Sequence, residues 1–254
     1  MRAPRKSLFL PAALLCSLFL GACTGSPGED QLVYLFIDLT EIEENGNDYD
    51  YLEDSIGPLM RLLGHGSGDK ESRAGASVHI LPIYDFPLNR PVTVRLERGS
   101  RNQNPLDRRD AVKKFEAELR SGIEAVVETN LKQRPPAERY RQSHIFGPLC
   151  EGLREIQRQG SELDQRRVIV FSDMLENSPV ANFYRQPDRD SLTEDLNAHC
   201  TLPDLSGVCM NIVFQPVKEK SALILEAKSF WISFLESRGL PTTAPSCFSY
   251  ESYL

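Results

Sequence analysis

Two short apolar runs, each closely followed by an aspartate, constrain the fold more than any other feature of this 254-residue chain. The first occupies residues 32–39 and reads Leu-Val-Tyr-Leu-Phe-Ile-Asp-Leu; the second occupies residues 167–171, with Asp173 just beyond it. Near-continuous apolar runs of this length, rich in β-branched and aromatic residues, are typical of strands buried on both faces. Such strands belong to parallel sheets that helices cover on both sides.

Helix-like and strand-like segments alternate along the rest of the chain. Apolar residues at helical spacing predict helices over residues 48–63, 107–131, 145–158 and 221–238. Further strands are predicted at residues 76–86, 90–98 and 211–217. The short turn between the first two of these makes them antiparallel neighbours. We therefore predict an α/β fold of the Rossmann-like, doubly wound type: a mostly parallel sheet with one antiparallel edge strand and helices on both faces.

The first 22 residues have the features of a cleaved secretory signal peptide. Basic residues precede a short apolar stretch, and residues 20–23 (Leu-Gly-Ala-Cys) follow it. This tetrapeptide resembles the bacterial lipobox, and the resemblance implies a mature protein that begins at a lipidated Cys23. The alternative is an ordinary signal peptide with an incidental cysteine.

This interpretation divides the chain into a lipoprotein signal peptide (1–22), a lipid-anchored tether (23–30) and one domain (31–254). Thr24 rather than Asp after the cysteine favours, by resemblance to known sorting behaviour, the outer membrane and its periplasmic face. Removing the three basic residues of the signal lowers the net charge from −7 to −10. Because an acidic chain repels nucleic acid, we expect a protein partner in the cell envelope, with the lipid holding the chain at the membrane.

Four cysteines remain in the predicted domain: Cys150, Cys200, Cys209 and Cys247. An even number of cysteines in an exported domain predicts disulfide bonds. Three pairings are open; the short loop between Cys200 and Cys209 favours that pair and leaves Cys150 with Cys247. A zinc site is the alternative, disfavoured because the cysteines form no Cys-x-x-Cys pair and the chain has only four histidines.

Asp38 and Asp173 are the leading candidates for a functional site. In open α/β sheets, ligands bind at the carboxyl ends of the strands, and both aspartates follow predicted strands. Two carboxylates from adjacent strand ends suit a hard cation such as Mg²⁺ or Ca²⁺.

The order of these elements resembles the von Willebrand factor type A (vWA) domain, which carries a metal-ion-dependent adhesion site (MIDAS). The family pattern begins with Asp-x-Ser-x-Ser after the first strand. Asp38 matches the aspartate, and Thr40 supplies a hydroxyl at the first serine position. Ile42 replaces the second serine and cannot coordinate a metal.

The other two elements of the family pattern also have counterparts. Ser143 aligns with a threonine that precedes a helix, and Asp173 aligns with the aspartate after the fourth strand, with Met174 in place of the usual glycine. The resemblance implies a divalent cation (Mg²⁺, or else Mn²⁺ or Ca²⁺) held by Asp38, Thr40, Ser143 and Asp173, open to a partner's carboxylate. In the alternative, the site is degenerate and the same loops bind protein without metal.

The sequence thus predicts a non-enzymatic, membrane-anchored periplasmic module for protein interaction. One alternative is a metal-dependent phosphoesterase that uses Asp38 and Asp173, disfavoured because two-metal hydrolysis needs more carboxylate or histidine ligands. The other is a permanent structural lipoprotein of an envelope secretion or conjugation assembly. The neighbours Ser143 and His144 do not predict a hydrolase, since no Gly-x-Ser-x-Gly turn is present.

Overall fold

The structure, a computed structural model, describes residues 30–39, 50–65, 73–83, 91–100, 102–132, 143–159, 165–185, 188–214 and 220–251. The predicted signal peptide, the lipidation site Cys23, Thr40 and Ile42 lie outside these residues. Within them, no helix has both the length and the apolar character needed to cross a bilayer.

In the described part of the chain, six strands form one sheet in the order β3-β2-β1-β4-β5-β6. They are β1 (Gln31–Asp38), β2 (Ala76–Ile83), β3 (Val92–Leu96), β4 (Gln165–Phe171), β5 (Val208–Val213) and β6 (Phe248–Glu251). The edge strand β3 runs antiparallel to β2, and every other neighbouring pair is parallel. The predicted mostly parallel sheet with one antiparallel edge strand is confirmed.

The helices lie on both faces of this sheet. They are α1 (Asp50–Asp54), α2 (Ile56–Leu62), α3 (Pro105–Lys132), α4 (Phe146–Gln159), α5 (Arg189–His199) and α6 (Ser221–Glu236). The helix predicted over residues 48–63 is two short helices, and both α5 and β6 were not predicted.

Two buried layers explain the continuous apolar run of β1. Tyr34 and Phe36 pack into the layer that contains side chains of α4, α5 and α6. Val33 and Leu35 pack into the opposite layer, with side chains of α1, α2 and α3. Helix α4 comes close to β1 at Gly152, where an added Cβ would overlap the Phe36 ring.

All four cysteines form disulfides, as predicted, but the predicted pairing is wrong. The bonds are Cys150–Cys200 and Cys209–Cys247. Cys150 and Cys200 both lie in the layer of α4, α5 and α6. Successive strand residues point to opposite faces, and Met210 occupies that same layer, so its neighbour Cys209 faces the other way. Cys200 therefore cannot reach Cys209 and bonds to α4.

Candidate functional site

Asp38 ends β1 and is bound to the loop that follows the neighbouring strand β4. The two strands are parallel, so their carboxyl ends share one edge of the sheet. Asp38 is 1% exposed, and its Oδ2 accepts a hydrogen bond from Ser172 Oγ at 2.7 Å. Ser172 Oγ in turn accepts one from the Met174 N–H at 3.0 Å. The first predicted aspartate is thus part of the β4 loop's own hydrogen-bond network.

Asp173 uses both carboxylate oxygens within the protein. Its Oδ1 accepts a hydrogen bond from the Leu175 N–H at 2.9 Å, and its Oδ2 lies 3.6 Å from Lys220 Nζ. Tyr250 in β6 donates a hydrogen bond from its hydroxyl to the Asp173 carbonyl at 2.8 Å. Because Lys220 comes after β5, the carboxyl ends of β1, β4 and β5 all contribute to this edge.

Glu176 caps the N-terminus of α4. Its Oε2 accepts hydrogen bonds from the backbone N–H groups of Ile145 (2.8 Å) and Phe146 (2.7 Å), two donors that lack partners within the helix. Burial raises the pKa of Glu176 to about 7, against the lowering effect of its hydrogen bonds from Ser178 and the backbone, and the Asp38 charge raises the pKa further. Asp38, Ser172, Asp173, Glu176 and Lys220 together form what we call the carboxyl-edge cluster.

The backbone of the β4 loop has an unusual conformation at Met174. This residue has φ of 61°, in the left-handed region that side chains with a Cβ seldom adopt. Its carbonyl accepts a hydrogen bond from Trp231 Nε1 at 2.8 Å, and its side chain is buried. The vWA pattern has glycine at this position, and Met174 adopts a backbone conformation that glycine adopts readily. Burial of the Met174 side chain and the hydrogen bond from the Trp231 indole hold this conformation in place.

The structure brings some of the four predicted metal ligands together and leaves one outside the described residues. Asp38 and Asp173 lie at one edge of the sheet, as predicted. Ser143 joins that edge through its backbone, since its carbonyl accepts a hydrogen bond from the Asn177 N–H at 3.0 Å. Thr40 lies outside the described residues. The assignment of these side chains as metal ligands stays a prediction.

Sequence reasoning missed Glu176 and Lys220. Glu176 stands three residues after Asp173, and Lys220 stands just before α6, seven residues beyond the end of β5. The strand-end rule selects residues at or directly after the end of a strand, as it did the aspartates, and so gave no signal for Lys220.

Within the described residues, the contacts of the carboxyl-edge cluster argue against a divalent cation. Across the described ranges, no three His, Cys, Asp or Glu side chains are grouped so that they could hold a metal. The Asp173 carboxylate faces the Lys220 ammonium, which repels a second cation, and Asp38 accepts a hydrogen bond from Ser172.

A cleft of 480 Å³ adjoins the cluster through Asn177, the residue after Glu176. Asn177 and Asn182 form an isolated antiparallel bridge, and the Asn182 amide donates to Asn177 Oδ1 at 2.6 Å. Val180, Leu192 and Asp195 line the cleft as well. Apolar walls with a few convergent polar groups are typical of binding sites.

The strand order, the single antiparallel edge strand, the aspartate that ends β1 and the aspartate that follows β4 together indicate the fold. The fold is vWA-like. Similar solved structures include the SpRpn10 VWA domain, which is 14% identical with a TM-score of 0.41; the match covers 87% of each chain.

The human COPII-coat protein Sec24c is 13% identical over 89% of this chain and 30% of that one, with a TM-score of 0.42. Proximal thread matrix protein 1 from the mussel byssus, solved with a zinc-occupied MIDAS motif, is 13% identical over 84% and 48% of the two chains, with a TM-score of 0.36. These TM-scores lie below 0.5, and the assignment as vWA-like rests on the strand order and its aspartates. The sequence matches no protein-family model and no curated protein.

Proposed function

We propose that this chain is a non-enzymatic protein-interaction module of the bacterial envelope, anchored by a lipid on Cys23. The partner binds at the carboxyl edge of the sheet. The observation that carries the proposal is the cleft beside the carboxyl-edge cluster, whose lining offers amide, charged and apolar groups, while the buried cluster fixes the loop that carries Asn177. Domains with the vWA-like fold are commonly protein-interaction modules.

The hydrogen bonding of the cluster favours binding over catalysis. Asp38, Asp173 and Glu176 each accept hydrogen bonds from the protein itself, which hold their loops in place. A metal-dependent phosphoesterase would need such carboxylates directed at its metals. The same groups instead stabilise the shape of the edge against which a partner packs.

The position of the predicted anchor in the chain is compatible with binding of a partner at the carboxyl edge. The chain enters the sheet at Gln31, whereas Asp38 ends the same strand at the carboxyl edge. Seven steps of about 3.3 Å along this eight-residue strand separate these points by about 23 Å. A tether before Gln31 therefore attaches at the end of β1 opposite to the proposed binding edge.

A photocrosslinking experiment tests the binding edge. The full-length chain is expressed in a bacterial envelope with a photoreactive amino acid at Asp195, which lines the cleft, or at Lys114 on α3, whose side chain is 78% exposed. We expect a discrete envelope protein to be captured from position 195 and not from position 114. Equal labelling from both positions, or none from 195, would contradict the proposal.

Two further measurements test the anchor and the absence of catalysis. The wild type should incorporate a labelled fatty acid and Cys23→Ala should not, because the substitution removes the thiol that accepts the lipid. Equal incorporation of the label by both proteins would refute lipid anchoring at this residue. Hydrolysis of a generic phosphoester with Mg²⁺ or Mn²⁺ that disappears in Asp173→Ala would establish the phosphoesterase instead.

A further inference from the structure

At the carboxyl edge, the Lys220 ammonium has the Asp173 carboxylate and the Tyr184 ring as neighbours. Its Nζ is 3.6 Å from Asp173 Oδ2, and the exposed fractions of the two side chains are 19% and 9%. Solvent and salt therefore screen this pair less than an ion pair at the surface. The same Nζ lies 5.9 Å from the centroid of the Tyr184 ring, within the range of a cation–π contact. A carboxylate and an aromatic face thus both contact the ammonium group.

The position of Lys220 at the start of α6 has no explanation in the helix itself. Lys220 is the N-cap residue of α6 and makes no side-chain capping hydrogen bond. Helix N-termini carry a partial positive charge, so a lysine there is unfavourable unless an anion compensates it. Ser, Thr, Asp and Asn are the residues that favour this position. The Asp173 carboxylate is the anion that makes a lysine acceptable here.

The opposite carboxylate oxygen is also committed. Asp173 Oδ1 accepts the Leu175 N–H, and the next residue, Met174, is fixed by its hydrogen bond to Trp231. Asp173 therefore cannot turn towards a metal ion without breaking contacts in its own loop. A divalent ion on Oδ2 would have to displace the Lys220 ammonium or lie beside it against their mutual repulsion.

We propose that the Lys220 ammonium is the resident cation of the carboxyl-edge cluster, at the edge where the vWA resemblance implies a divalent ion, so that the cluster needs no metal. The positive charge that Asp173 requires is covalently part of the chain. The inference stands on the contacts of Lys220 and Asp173 and holds whether or not the proposed partner exists.

A metal titration provides the first test. The full-length protein, purified in detergent and treated with EDTA, is melted with and without Mg²⁺, Mn²⁺ or Ca²⁺. Unfolding is followed by the fluorescence of Trp231, the single tryptophan of the chain, which bonds to the loop beside Asp173. We expect the same melting temperature in every condition. A rise of several degrees with a divalent ion, absent in Asp173→Asn, would overturn the proposal.

A double-mutant cycle provides the second test. Lys220→Met and Asp173→Asn should each lower the melting temperature because each leaves a charge without its opposite. The double variant should be more stable than the sum of the two losses predicts, and it should recover folding if Lys220→Met alone does not fold. Lys114→Met, at an exposed surface pair, is the matched control and should change little. Strictly additive losses would show that Lys220 is not the counter-charge of Asp173 and would overturn the proposal.

Discussion

Replacing Glu176 by glutamine should remove a pH dependence of folding stability. In the folded protein this carboxylate is 2% exposed and accepts two backbone N–H groups of α4. Burial, and then the Asp38 charge, raises its pKa from 4.5 to about 7. Glutamine keeps an oxygen that can accept the same hydrogen bonds but carries no charge to desolvate.

The sign of the effect follows from where the proton is bound. Between pH 4.5 and about 7 the folded state holds a proton that the unfolded state has released, so stability falls as the pH rises through this window. At 1.36 kcal/mol per pKa unit, the shift corresponds to about 3 kcal/mol. This is an upper bound, because the N-terminus of α4 favours the charged form. Below pH 4.5 the whole contribution is present; above 7 it is lost.

Urea unfolding at pH 5, 6, 7 and 8, followed by Trp231 fluorescence, measures the effect. The free energy of unfolding of the wild type should fall by up to about 3 kcal/mol across this series, while Glu176→Gln stays flatter and is the more stable protein at pH 8. Glu118→Gln, which removes a carboxylate that is 47% exposed, is the control and should follow the wild type. Parallel pH profiles for wild type and Glu176→Gln would refute the reasoning.

Three other substitutions test the packing of the domain by the same unfolding assay. Replacing Cys150 and Cys200 together by serine should lower the free energy of unfolding by about 4 kcal/mol, because the bond closes a loop with a sequence separation of 50; a loss below about 1 kcal/mol would contradict this. Gly152→Ala should cost about 1–3 kcal/mol through overlap with Phe36, and a stabilised variant would show that the helix can move. Arg167→Met should be neutral or stabilising, because the partners of this buried guanidinium among the described residues are neutral, the Asn211 amide oxygen and the Ser246 carbonyl; a loss above about 2 kcal/mol would speak against that view.

The sheet was predictable because its central strands carry a strong signal. β1 and the second half of β4 are buried on both faces, so residues 32–37 and 168–171 are all apolar and polar residues mark the ends of both runs. This pattern located Asp38 and Asp173 at the correct edge. By contrast, α5 buries only Leu192 and Leu196, and β6 has four residues, so neither element has a pattern long enough to recognise.

The disulfide pairing and the contacts within the site depend on which face of the sheet each side chain points to. No local sequence pattern contains this information. Proximity in sequence favoured Cys200 with Cys209, but the alternation of β5 turns Cys209 to the other side of the sheet. Lys220 is likewise an ordinary surface lysine in sequence. Only the juxtaposition of the ends of β4 and β5 brings it to Asp173.

The central place of β1 has a mechanical consequence. This strand lies between β2 and β4 and runs parallel to both. Tension between an anchor before Gln31 and a partner held at the carboxyl-edge cluster acts along the strand. The hydrogen bonds on both its sides must then shear at the same time, whereas an edge strand pulled from its end could be peeled away one bond after another. With the proposed anchor and partner in place, the load would therefore act along the axis in which the hydrogen bonds on both sides of β1 resist force together.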